Sequence, residues 1–246
     1  MKTTKELVRY PTILLYGPSG AGKTTLAATG PKPYFLDSNK GLLAIDGRPG
    51  FERVRGDDVL SMKTLDTALS NFRGTGKERF DKLFQSCVFD HFNDIQQIIM
   101  EKLGDKRKLR DERKDADEPE VKDYNIMGNK LRRYIRKFKA VPVVKVLICG
   151  EKEDRETGRM MPNMVGALRQ DLPFLVDHTM YLGLGKKNKR VLYLDSRDEF
   201  YAKTRAWWMT PEQKRIVVPF DDTQFLTNLL HRIAAGPKGS THGAEK

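Results

Sequence analysis

The sequence predicts an α/β fold, with a mainly parallel central sheet flanked by helices and an antiparallel β extension toward the C-terminus. Three observations carry that expectation. Residues 12–16, Thr-Ile-Leu-Leu-Tyr, are a short apolar, β-rich run, followed directly by a glycine turn and a helix start. Apolar runs then alternate with segments of helical periodicity as far as Cys149, the pattern of strand-helix-strand units. Past residue 178 two strand-like runs flank a short basic turn, which reads as a hairpin.

The turn after the first run is Gly17-Pro18-Ser19-Gly20-Ala21-Gly22-Lys23-Thr24, which satisfies the pattern G-x-x-x-x-G-K-[ST]. Strand, glycine turn and helix N-terminus in that order aim backbone N–H groups and a helix dipole at one point. That point suits the β-phosphate of a nucleotide. Lys23 would reach the β- and γ-phosphates, the Thr24 hydroxyl would ligate the Mg2+ that bridges them, and Thr25 completes the run of nucleotide-binding positions. ATP and Mg2+ are therefore the expected cofactors.

The remaining elements follow in order. Residues 33–37 read as a second strand closed by Asp37, which is either a site carboxylate or a turn-forming aspartate. Residues 41–56 are rich in glycine and charge, a surface excursion. Met62, Leu65, Ala68, Leu69 and Phe72 keep helical spacing. Cys87-Val88-Phe89-Asp90 is an apolar run closed by an acid, the Walker B arrangement in which a strand-end carboxylate holds magnesium, so Asp90 joins Thr24 as a metal residue. Ile95, Ile98, Ile99 and Leu103 mark the next helix. Residues 105–118 hold six basic and six acidic side chains, a solvated charged loop or helix end.

Residues 130–139 differ in kind, with six basic side chains and no acid. Leu131, Tyr134, Ile135 and Phe138 can dock, while Lys130, Arg132, Arg133, Arg136 and Lys137 stay outside and invite a phosphate backbone. The plainer alternative is a solvated helix face. Residues 143–149 are the strongest strand and the expected centre of the sheet, with Glu151 just beyond its end. Residues 155–173 read as a mobile loop entering a short helix. Runs at 179–184 and 190–194 flank a hairpin tip whose Lys186, Lys187, Lys189 and Arg190 are further candidates for DNA phosphates. Another run near 199–202 precedes Lys203-Thr204-Arg205 and Trp207-Trp208, a pair read as core packing ahead of base stacking. A helix over 224–234 closes the fold.

With 246 residues, 39% hydrophobic and 32% charged, the chain suits one globular domain over residues 1–235 and a disordered tail over 236–246. It has no apolar run of the roughly 18 residues a membrane span requires, and no apolar signal core at its start. The expected compartment is the cytoplasm, with no membrane partner. Cys87 and Cys149 lie in apolar runs and read as buried, reduced thiols. Forty-five basic against 33 acidic residues leave a net charge of +12, which favours a polyanionic partner.

This order of elements resembles a RecA-like P-loop NTPase core, and more narrowly the phage-encoded single-strand annealing ATPases built on little beyond that core. The resemblance covers about residues 10–232. It is anchored at 17–25, Leu36-Asp37, Phe89-Asp90, residues 162–166, Asp177 and Ala202-Lys203-Thr204-Arg205. It implies an ATPase that binds single-stranded DNA, works as a homo-oligomer with ATP at the subunit interface and acts beside a single-strand binding protein in the host cytoplasm. Lys203 and Arg205 match a Lys-x-Arg motif similar to cationic fingers that reach a neighbouring subunit's γ-phosphate; the alternative is a solvated strand face. Two positions depart from the pattern. Asn39 stands where these enzymes carry a water-polarising glutamate, and Gly150 stands where they carry a polar sensor, with Glu151 beside it as the candidate for either role.

Overall fold

The computed structural model describes residues 10–185, 189–219 and 221–236. An eight-stranded sheet runs in the order β10-β9-β8-β1-β5-β4-β2-β3. Its strands are β1 (Thr12–Tyr16), β2 (Pro33–Asp37), β3 (Arg55–Asp58), β4 (Ser86–Asp90), β5 (Val144–Cys149), β8 (His178–Leu184), β9 (Arg190–Tyr193) and β10 (Arg215–Val217). From β8 to β3 every pairing is parallel, and β9 and β10 are added antiparallel. A separate antiparallel pair joins β6 (Glu151–Glu153) to β7 (Met160–Pro162). The expected α/β fold with a mainly parallel central sheet is thus present, with the antiparallel extension on one edge.

Both faces of the sheet are covered, which explains the continuous apolar runs. Along β1, Leu14 and Tyr16 enter one core while Ile13 and Leu15 enter the other. The first core is closed by α2 (Met62–Phe72), α4 (Asp94–Lys108), α5 (Val121–Lys139) and α6 (Leu168–Leu175). The second lies under α1 (Lys23–Ala28) and α7 (Phe225–Ala235). A single turn, α3 (Phe80–Leu83), precedes β4. Helix α7 meets the end of α1, where the Leu226 N–H donates to Thr29 Oγ1 at 2.9 Å and Thr227 Oγ1 donates to Thr29 O at 2.8 Å. The orphan groups at that helix end thereby gain partners. Lys145, buried within β5, donates its ammonium to the carbonyls of Tyr10 and Val141.

Several boundaries differ from the expectation. Helix α5 begins at Val121, well before the basic stretch, because Glu120 and Asp123 form a reciprocal cap at its start. Within the charged stretch, 105–108 belong to α4 and Arg107 is buried against Asp123. The excursion at 41–56 holds a short 3-10 helix (Gly41–Ala44) and runs into β3. The run near 199–202 makes only isolated bridges, Met160 to Phe200 and Thr179 to Lys203. Trp208 packs on the second core, but Trp207 is 77% exposed, against the expectation that both are core residues. Cys87 and Cys149 are free and buried, as read from sequence. No helix among the described residues is long and apolar enough to cross a membrane. The expected C-terminal tail, from residue 237 on, lies outside the described residues.

Candidate nucleotide site

The glycine turn links β1 to α1, so Gly17 to Thr25 sit over the C-terminal end of the central strands. Gly17, Gly20 and Gly22 all adopt positive φ, at 152°, 76° and 89°. Two of them are also pressed against the extension. A Cβ on Gly17 would overlap the Leu182 carbonyl oxygen of β8 and come within 3.1 Å of its carbon. A Cβ on Gly22 would fall 2.7 Å from Arg190 Nη1 at the start of β9. The β8–β9 hairpin is therefore the wall of the turn.

Lys23 is 5% exposed and its ammonium donates to Gly17 O at 3.0 Å and Pro18 O at 2.8 Å, so it is held inside the turn. Burial pulls its pKa down and the nearby Asp90 carboxylate opposes that shift. Thr24 Oγ1 donates to Asp90 Oδ2 at 2.6 Å, joining the two residues chosen as metal ligands. Asp90 is fully buried at the end of β4, and burial pushes its pKa up against the Thr24 hydrogen bond. Its Oδ1 has no hydrogen-bond donor, with His91 Nε2 3.4 Å away. A buried carboxylate oxygen without a donor fits a divalent cation, and Mg2+ beside phosphates needs only one or two protein ligands.

Glu151 begins β6, just past the end of β5. Glu151 Oε2 is buried with no hydrogen-bond partner. Its charge raises the pKa of Lys23 slightly against the burial that lowers it. Asp37 takes the turn-forming alternative, because its two oxygens accept from the N–H groups of Asn39, Gly41 and Leu42. Gly41 tucks under Asp90, where a Cβ would lie 2.7 Å from Oδ2 and 3.3 Å from Asn39 Oδ1.

Other sequence-predicted residues are scattered. Arg205 pairs with Asp177 at 3.1 Å, and Asp177 also accepts the Thr12 N–H at 2.8 Å, so Arg205 stands at the opposite end of β1 from the turn. Lys203 is paired by backbone to Thr179 and its ammonium lies 5.3 Å from the Phe174 ring. On α5, Arg132 is bonded to Asp171, Lys137 pairs with Asp66 at 2.8 Å, and Arg133 and Arg136 are exposed. Lys186 and Lys187 lie outside the described residues. Lys189 is exposed, whereas Arg190 turns inward to Gly22 and donates to Pro219 O at 3.2 Å.

Sequence reasoning missed the hairpin wall, Gly41, and Ser38. The Ser38 hydroxyl accepts the His91 N–H at 2.8 Å and sits 3.0 Å from Asp94 Oδ2, fastening β2 to the chain just after Asp90. Only the glycine pattern itself hinted at close backbone approach; the partners carry no local signature.

No curated protein matches this sequence. Among solved structures, a KaiC-like protein from the hyperthermophilic archaeon Pyrococcus horikoshii OT3 is similar at 17% identity and a TM-score of 0.42, over 85% of this chain and 89% of that one. The family described as AAA domain matches residues 9–206, which takes in the glycine turn, Asp90, Glu151 and the Lys-x-Arg motif. With its turn, buried lysine and Thr24–Asp90 bond in place, the chain belongs to the AAA domain family of P-loop ATPases.

Proposed function

We propose that this chain is a Mg2+-dependent ATPase that binds single-stranded DNA and promotes strand annealing, with phage DNA metabolism in the host cytoplasm as its setting. The observation that carries the catalytic part is the 2.6 Å bond from Thr24 to a buried Asp90 beside Lys23. The glycine turn and Lys23 bind the phosphates, and Thr24 and Asp90 hold the metal. Mg2+, when bound, neutralises charge on the β- and γ-phosphate oxygens. Glu151 is assigned to orient the attacking water through its unpartnered Oε2. Arg205 lies at the opposite end of β1 from its own glycine turn and Lys203 beside Thr179 of β8, so a role for the motif at a γ-phosphate belongs to a neighbouring subunit's site in a homo-oligomer.

The basic surface of α5, the 155–172 loop and the hairpin tip are the candidate DNA contacts, and a single-strand binding protein is the candidate second partner. The net charge of +12 supports a polyanion. Asn39 favours a second reading, a nucleotide-gated assembly switch with little turnover, because an amide cannot act as a base. Phosphate release with and without single-stranded DNA, run beside DNA binding over a salt series, separates the two. Stimulated release with a steep salt slope supports the annealing ATPase. Tight ATP binding without release supports the switch, and DNA-independent transfer to a small acceptor would instead mark a kinase.

A further inference from the structure

Asp90 closes β4, and His91 follows it on a backbone held from two neighbouring strands. The Asp90 carbonyl accepts the Ser38 N–H at 2.6 Å, the His91 N–H donates to Ser38 Oγ at 2.8 Å, and the Phe92 N–H donates to Ile148 O at 2.7 Å. The His91 ring thus starts from a fixed point beside the Thr24–Asp90 pair, with 24% of its side-chain surface exposed.

Asn93 sets which ring nitrogen carries the hydrogen. Its amide donates through Nδ2 to Asp94 Oδ1 at 2.7 Å and accepts the Gly150 N–H through Oδ1 at 3.3 Å, so the oxygen is the atom turned to His91. That oxygen lies 3.2 Å from His91 Nδ1 and can only accept, which puts the ring hydrogen on Nδ1. In this tautomer Nε2 presents a lone pair. It stands 3.4 Å from Asp90 Oδ1, the buried oxygen that no donor reaches. Two lone-pair atoms this close repel unless a cation or the hydrogens of a water lie between them.

The gap suits a cation. Ligand atoms on adjacent corners of an octahedral ion at about 2.1 Å are about 3.0 Å apart, so a shift of about 0.4 Å brings both atoms onto one ion. Thr24 Oγ1, bonded to the other oxygen of the same carboxylate at 2.6 Å, is a third donor atom. Among the described residues no group of three or more His, Cys, Asp or Glu side chains is placed to hold a metal alone, so the phosphates of a nucleotide complete the set.

We propose that His91 Nε2 is a ligand of the nucleotide-borne cation, beside Asp90 and Thr24, and that it turns the site toward divalent transition metals that accept imidazole. Mg2+ favours oxygen and gains little from this nitrogen. The proposal rests on the reading of Thr24 and Asp90 as metal residues and adds a ligand that the glycine-turn pattern does not contain. Asn93 is a positioning residue, acting through the tautomer.

The probe is Co2+, which takes both imidazole and oxygen ligands. Complexes of Co2+ and of Mg2+ with a non-hydrolysable ATP analogue are titrated calorimetrically into the full chain as wild type, His91→Ala and Asn93→Ala. His91→Ala should weaken the Co2+ complex about 10- to 100-fold and leave the Mg2+ complex little changed, and Asn93→Ala should weaken the Co2+ complex about 10-fold. In the wild-type chain with Co2+ and the analogue, the Nδ1–H proton should resonate far outside the ordinary proton range and vanish in D2O. That spectrum needs no variant, so it decides the matter should His91→Ala fail to fold. If His91→Ala changes neither complex or weakens both alike, or if the shifted proton is missing, His91 is not a ligand and a water fills the gap, while the reading of Thr24 and Asp90 stands. If neither metal complex binds the wild-type chain more tightly than the metal-free analogue does, both readings fall.

Discussion

If the β8–β9 hairpin braces the glycine turn, alanine at Gly17 and at Gly20 should differ sharply, although both positions have positive φ. At Gly20 an added Cβ meets nothing within 4 Å. The cost there is the backbone conformation alone, about 1–2 kcal/mol. At Gly17, whose φ of 152° lies outside the left-handed helical well, at least as much strain is joined by overlap with the Leu182 carbonyl, a main-chain group fixed in β8 and unable to turn aside. Overpacking against a rigid neighbour adds about 1–3 kcal/mol, for a sum near 4 kcal/mol. For a chain of this length that lowers Tm by roughly 8–16 °C, with the denaturant m-value unchanged. Gly22→Ala should fall between the two, since its obstacle is the far end of the Arg190 side chain. Urea titration of the three variants without nucleotide decides the matter. Equal midpoints for Gly17→Ala and Gly20→Ala would refute the bracing contact.

Three further outcomes follow from named contacts. Thr24→Val removes the donor to Asp90 and the proposed metal ligand together; loss of about 1.5–3 kcal/mol predicts roughly 10- to 100-fold weaker Mg2+-dependent ATP binding, read by isothermal titration, with little change in Tm. Arg107→Ala leaves Asp123 buried without its cationic partner, with only the Glu120 N–H still donating to it, and frees the carbonyls of Asp115, Ala116 and Glu118, which should cost about 3–5 kcal/mol and speed proteolysis between residues 109 and 120. His178 is buried against Thr204, with Asp177 raising its pKa and Arg205 and Lys203 lowering it; burial dominates and brings it down to about 4. The unfolded chain therefore takes up this proton first, so the stability is fully present above about pH 6.5 and is lost as pH falls through 4, about 3 kcal/mol in all. In a His178→Gln variant that part of the acid dependence should vanish from chemical denaturation curves recorded between pH 7 and 4.

Much of the centre of the fold is legible in the residues because burial on both faces leaves a plain mark. Residues 12–16 and 33–37 read as strands and occupy β1 and β2 without a shift, and 86–90 and 144–149 needed an adjustment of one residue each. The edge is different. β3 is Arg-Gly-Asp-Asp, mostly exposed, and is a strand only because its backbone pairs with β2. The start of α5 was hidden because 121–129 are mostly polar and the helix is set by a cap rather than by an apolar stripe. At the site, the turn and Asp90 were readable as local patterns. Arg190 was not, because a basic residue next to a hairpin tip looks the same in sequence whether it points to solvent or folds back on a glycine.

The dependence of the turn on a hairpin so far down the chain has a consequence for biosynthesis. Gly22 leaves the ribosome about 170 residues before Arg190, a delay of roughly 8–35 s at ordinary elongation speeds. During that interval the nascent polypeptide carries the fingerprint of a nucleotide binder without the wall that shapes it. A chain stopped before Leu182 would carry the glycine turn with neither Gly17 nor Gly22 braced.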